Sequence, residues 1–143
     1  MTNHTLNIQL ANELCDALES GNWQQGQGFL QRVENTFCCL GVLCDITKER
    51  VGGVWINDHR QLTFHVGSDN MRYYLPSAVA DLIGLTHNGE YKHNGQLYVW
   101  HENEDTLYTS LAVMNDEGIS HYDIAQAIRR LIALIEGEQR GNG

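Results

Sequence analysis

The stretch Phe37-Cys38-Cys39-Leu40-Gly41-Val42-Leu43-Cys44-Asp45 constrains the fold of this chain more than any other part of it. Asn35 or Thr36 can supply a capping oxygen for a helix running from about residue 36 to Thr47. At 100° per residue, Phe37, Leu40, Val42, Leu43 and Ile46 cover nearly every face, and Gly41 and Asp45 share the one narrow gap. A helix that is apolar all round is a buried helix, so the rest of the chain has to wrap it. Gly41 costs about 1 kcal/mol relative to Ala inside a helix. Its natural use is to let another element approach closely.

Six further patterns supply the wrapping. From Thr5 to Ser20, Leu6, Leu10, Ala11, Leu14, Cys15 and Leu18 recur at three and four residues, one face of a helix, and Gly21 stops it. Asn22 to Gly28 reads as a Gln- and Gly-rich loop, followed by strand character at Phe29 to Val33. Val54 to Ile56 and Leu62 to Val66 flank Asn57-Asp58-His59-Arg60 as a hairpin, with a third strand over Met71 to Leu75. Pro76 opens a short helix ended by Gly84. After two Asn-Gly turns at residues 88–89 and 94–95, Leu97 to His101 is the last strand, and a helix is expected from about Thr106 to Met114. The final helix has Ser120 as N-cap, Asp123 at the capping-box position and a stripe of Ile124, Ile128, Leu131, Ile132 and Ile135.

Strands and helices cluster instead of alternating, so the fold class is α+β: a small antiparallel sheet packed against four to five helices. With 143 residues, 42% of them hydrophobic, one domain over residues 1–136 is expected, with a frayed tail over 137–143. No repeat breaks it up. The longest apolar run, Phe37 to Cys44, is too short to cross a bilayer, which takes about 20 residues. The polar start, Met1 to Asn7, lacks the features of a secretory signal, and a soluble cytoplasmic protein with no membrane partner is expected. Nine basic against 18 acidic side chains leave a net charge of −9 and no basic stripe, which argues against binding duplex nucleic acid.

Candidate chemistry is sparse. Cys38 and Cys39 near a helix start could be activated thiols, but three cysteines on a helix apolar all round read better as packing groups. The spacing C-C-x4-C matches no zinc site, and no metal or other cofactor is expected. His59, His65, His87, His93 and His101 read as surface and turn residues before ligands or bases, so no catalytic residue is assigned. Asp45 either reaches solvent, pairs inside with an arginine or backbone N–H groups, or serves a ligand; pairing is preferred. Asn115-Asp116-Glu117-Gly118 lacks the calcium-loop pattern and is given turn and cap duty. The groups suited to a nucleotide or other small anion are Trp55, Arg60, Arg72, Tyr74, Tyr98 and Trp100, with Tyr73 on the opposite strand face. Core packing of these aromatics is the competing reading. More aromatic surface than a modest sheet can cover points to a homodimer or higher homo-oligomer, with Val54 to Tyr74 and Leu97 to His101 at the interface.

Three segments carry a resemblance. Phe37 to Asp45 with the preceding Ser20-Gly21 and Trp23 to Leu30, Leu75 to Leu85, and Leu111 to Ala125 together resemble a group of uncharacterised small proteins of bacteriophages and prophages. The resemblance implies a phage-encoded, non-enzymatic binding protein of the host cytoplasm that acts in counter-defence by sequestering a nucleotide signal. An acidic inhibitor of a host defence or nucleic-acid enzyme, acting as a DNA mimic, is the alternative, and a small Cys/His enzyme a further one.

Overall fold

The structure, a computed structural model, describes residues 6–58, 61–91, 97–101, 104–108 and 110–142; at 58, 61, 97–101, 104–106 and 138–142 the description is of the backbone alone. The elements are α1 (Ile8–Ser20), α2 (Cys39–Val51), β1 (Val54–Asp58), β2 (Gln61–Val66), β3 (Asp69–Met71), α3 (Ser77–Ile83), β4 (Leu97–His101), β5 (Glu104–Tyr108), α4 (Leu111–Asp116) and α5 (His121–Asn142). Strands β1, β2 and β3 form an antiparallel sheet in that order, and β4 pairs with β5 in a separate ribbon. The fold is α+β, as the clustering of patterns implies.

α2 is the centre. Cys39, Leu40, Val42, Leu43 and Cys44 have no exposed surface, and α1, α3 and α4 pack round them. Leu30 runs over Gly41 so closely that a Cβ on the glycine would lie 2.6 Å from the Leu30 carbonyl carbon and 3.1 Å from its Cα. The close approach expected of Gly41 is therefore present, and its occupant is the backbone of residue 30. α5 lays Ile124, Ala125, Ile128, Leu131 and Ile132 against α1 and the core. Its start is as expected: the Ser120 hydroxyl accepts from Asp123 N (3.1 Å), and Ile119 and Ile124 are both buried.

Several boundaries differ from expectation, for reasons visible in the hydrogen bonds. α2 begins at Cys39, three residues late, because Asn35 takes a left-handed φ of 66° and Phe37 spends its backbone groups on Gln24 and Gly26. The expected strand at residues 29–33 reduces to an isolated bridge between Gln31 and Phe37. α2 continues one turn past Thr47, whose hydroxyl returns to the Leu43 carbonyl (2.8 Å), and ends where Gly52 adopts φ 67°. β3 stops at Met71 instead of reaching Leu75, since the Arg72 carbonyl turns away to accept from Leu30 N (2.8 Å). The helix expected from Thr106 is replaced by β5; α4 starts only at Leu111, where the Ser110 hydroxyl caps Val113 N (3.2 Å). α5 does not unwind at Gly137 but runs on to Asn142.

Candidate ligand groove

The register of the three-stranded sheet sorts its side chains. Trp55, Phe64 and Met71 are directly opposite one another and share the inner face. Phe64 is fully buried, the Trp55 ring lies 4.8 Å from it, and Phe37 meets Trp55 edge-on at 6.0 Å. Strand alternation then sends Val54, Ile56, Thr63, His65 and Asn70 to the other face. There Val54 and Ile56 are 53% and 41% exposed, so no described element covers them on the outer face.

Beside this face the chain leaves β3 and turns through Arg72, Tyr73 and Tyr74. The turn is anchored from within: Leu30 N–H holds the Arg72 carbonyl, and Leu30 itself is pinned over Gly41, its carbonyl also accepting from Cys38 N (3.3 Å). Tyr73 stacks at 5.2 Å on Phe29, over which the Arg32 guanidinium sits at 5.0 Å. The result is a groove of about 500 Å³ between the turn and the sheet, lined by Ile56, Asn57, Thr63, His65, Asn70 and Met71 on one side and residues 72–74 on the other. Its polar groups are poorly occupied by the protein. Arg72 Nε is buried without a hydrogen-bond partner, and Thr63 and His65 pair only with each other across 2.8 Å, apart from a long 3.4 Å bond from the Thr63 hydroxyl to the Ile56 carbonyl. Although the chain carries 18 acidic residues, none of the described lining residues is acidic. The nearest described carboxylate on β3, Asp69, is bound to Ser77 N (2.9 Å).

Of the six residues singled out from the sequence, Arg72 and Tyr74 meet in this groove, and Tyr73 joins them on the same side because residues 72–74 form a bend and not a strand. Trp55 does not join. It points inward, and its indole N–H donates to Asp45 Oδ1 (3.0 Å). Arg60 lies outside the described residues, and Tyr98 and Trp100, described by backbone alone, belong to the separate β4–β5 ribbon.

Asp45 is held inside as expected, but its partners are neither arginine nor backbone. Trp23 Nε1, Trp55 Nε1 and Lys48 Nζ each reach it at 3.0 Å. Partial burial pushes its pKa up, but the bonds from Trp23, Lys48 and Trp55 outweigh this and hold the carboxyl below the ordinary aspartate value.

Sequence reasoning missed the main polar junction. Cys38 caps α2 with no side-chain bond, and the missing acceptor comes from across the molecule: Asn115 Oδ1 takes Cys39 N (3.0 Å) and Gln25 Nε2 (3.0 Å), while its Nδ2 donates to the Gly26 carbonyl (2.7 Å). Gln25 goes on to Ile119 O (2.7 Å) and His121 N (2.9 Å), and Gln27 Nε2 to Asn115 O (3.2 Å). The fully buried Asn115 thus ties the Gln/Gly loop, α2, α4 and α5 into one knot. The signal was available in the adjacent polar clusters QQGQG and NDEG, but their pairing is long-range.

The thiols are ill placed for nucleophilic work. Burial pushes Cys15 up to about 12 against a smaller opposing effect of Arg129, and Cys38 up to about 11. Cys39 and Cys44 are raised well above the ordinary thiol value by the same cause. Among the described residues, no group of three or more His, Cys, Asp or Glu side chains could hold a metal ion, and no helix is long and apolar enough to cross a membrane.

Residues 6–132 match a domain of unknown function, DUF8296. The chain belongs to this family. No curated protein and no solved structure matches it. In this DUF8296 chain the matched span takes in both the buried knot and the groove.

Proposed function

We propose that the protein is a binding protein without catalysis of its own, holding a nucleotide-type anion in the groove on the outer face of the three-stranded sheet. The observation that carries this reading is Arg72: a guanidinium whose Nε is buried and unpaired, in a groove whose described lining holds no acidic residue. The Nε itself has no open surface, but Arg72 as a whole is only partly buried and lines the groove, so its unpaired guanidinium can turn donors to an anionic ligand there. A volume of about 500 Å³ falls within the 300–1,000 Å³ typical of small-molecule sites. Tyr73 and Tyr74, each about half exposed, offer ring faces for a base, and Asn57, Thr63, His65 and Asn70 offer donors and acceptors for its edges and for a sugar.

A role in phage counter-defence by sequestering such a nucleotide in the host cytoplasm rests on the resemblance of the three sequence segments. The raised thiol values weigh against the Cys/His enzyme. Self-association is proposed through the three-stranded sheet, where β1 is an edge strand carrying exposed Val54 and Ile56.

Isothermal calorimetry with AMP and ADP-ribose on wild type and Arg72→Ala tests the reading. A charge-assisted hydrogen bond is worth about 1.5–3 kcal/mol, so the variant should bind roughly 10- to 150-fold more weakly. Unchanged affinity would remove Arg72 from the site. Turnover of either nucleotide would make the protein an enzyme, and binding only to a host protein, steeply weakened by salt, would favour the acidic inhibitor.

A further inference from the structure

Resting on the groove reading above, we propose that the ligand is two-headed: an anionic linker at Arg72 joins one ring system in the groove to a second in an adjoining recess. The recess lies on the other side of Tyr73 and Tyr74, which line both spaces, and is completed by Gly28, Cys38, Ala112 and Asp116. At about 250 Å³ it falls short of the 300 Å³ at which independent small-molecule sites begin. It is a side chamber to the groove and takes part of a ligand, not a whole one.

The two chambers differ in charge. Among the described residues the groove offers Arg72 and no carboxylate, so it suits the phosphates, and the recess offers a carboxylate and no cation. Asp116 Oδ1 accepts from Gly28 N (3.1 Å), and no described residue donates to its other oxygen. A phosphate is repelled there, whereas an exocyclic amino or ring N–H group of a base is accepted. Around this acceptor the walls are flat or apolar: two tyrosine rings, Ala112 and a neutral thiol. A planar base with a donor edge fits that lining, and Tyr73 and Tyr74 stand where each ring system can stack. The substrate class is therefore a nucleotide with bases on both sides of its phosphates.

The test compares AMP with diadenosine diphosphate, which differs only in carrying a second half. By calorimetry, diadenosine diphosphate should bind wild type about 10-fold or more tightly than AMP, the worth of one stacked base. Ala112→Met fills the recess and should bring diadenosine diphosphate down to the AMP affinity while leaving AMP unchanged; Asp116→Asn, which keeps an acceptor for Gly28 N, should weaken only the two-headed ligand. Arg72→Ala should weaken both. Equal affinity of the two ligands in wild type, or an Ala112→Met protein of unaltered melting temperature that keeps the difference, overturns the recess assignment and leaves the groove standing. Failure of both ligands to bind wild type overturns the groove reading and this inference together.

Discussion

Substituting Gly41 by Ala is the most direct probe of how the core is coupled to the groove. On helix propensity alone the change should stabilise by about 1 kcal/mol. The new Cβ, however, would sit 2.6 Å from the Leu30 carbonyl carbon, where ordinary contact begins at 3.4 Å. The obstacle is backbone and cannot rotate away, and the Leu30 carbonyl oxygen lies closer still to the new Cβ than the carbon does, so the residue 30 segment must move by more than an ångström. Overpacking of this kind costs about 1–3 kcal/mol. Displacement also threatens Leu30 N to Arg72 O and Cys38 N to Leu30 O, at about 0.5–1.5 kcal/mol each. Against the propensity gain, the net loss centres near 3 kcal/mol. Unfolding entropy is about 2.1 cal/mol/K per residue, or ~0.3 kcal/mol/K over this length, so the melting temperature should fall by about 10 °C. Calorimetric or circular-dichroism melting of G41A against wild type measures it. Because Leu30 holds Arg72, nucleotide affinity should fall in the same variant at temperatures where it is still folded. A melting temperature equal to or above that of wild type would refute the close-packing argument. A lowered one with unchanged affinity would refute its link to the groove.

Asn115→Leu keeps the branched shape but strips Cys39 N, Gln25 Nε2 and Gly26 O of their partner, and should cost about 2–4 kcal/mol by chemical denaturation. Asp45 has a depressed pKa, so its contribution is complete above the unfolded aspartate value near 3.8 and disappears as pH falls through the lower folded value. Tryptophan fluorescence should therefore stay constant down to about pH 4 and change below it, and Asp45→Asn should abolish that step while lowering stability at pH 7. The four cysteines should resist an aromatic disulfide reagent in the native protein at pH 8 and all react once unfolded; rapid native labelling would contradict their burial and raised pKa values.

What could be read in the sequence was local. The amphipathic stripe of α1, the Ser120 cap of α5, the stop at Gly84 and the close approach at Gly41 all follow from residues within a turn or two of one another, and the structure has each of them. What could not be read depended on partners distant in the chain. The start of α2 was misplaced because its cap is Asn115, 76 positions away. Thr106 to Tyr108 reads as the start of a helix because these residues carry no strong local preference, and pairing with β4 makes them part of β5 instead. Trp55 was grouped with Arg72 by composition, whereas register, which sequence does not state, places it across the sheet against Phe64 and under Asp45.

The segments that look most distinctive in the sequence are the ones most deeply engaged in holding the fold. Cys39, Leu40 and Gly41 pack beneath Leu30; Asn115 caps α2; Ser120 starts α5. The groove is lined by residues within 56–74, a stretch outside those segments, and is tied to them by few contacts, among them Leu30 N to Arg72 O, the Tyr73 ring on Phe29 and Ser77 N to Asp69. Scaffold and binding surface are thus nearly separable. A chain that keeps the FCCLGVLCD and NDEG segments inherits the platform and the recess wall at Cys38 and Asp116, while on the reading proposed above the part of the ligand held in the groove is set by the outer sheet face and the turn after β3. The expected consequence is that exchanging residues 56–74 between two members of the family transfers ligand preference with little loss of stability, provided Leu30 and Gly41 are retained. A chimera that folds but keeps the preference of its scaffold donor would put the binding determinants elsewhere.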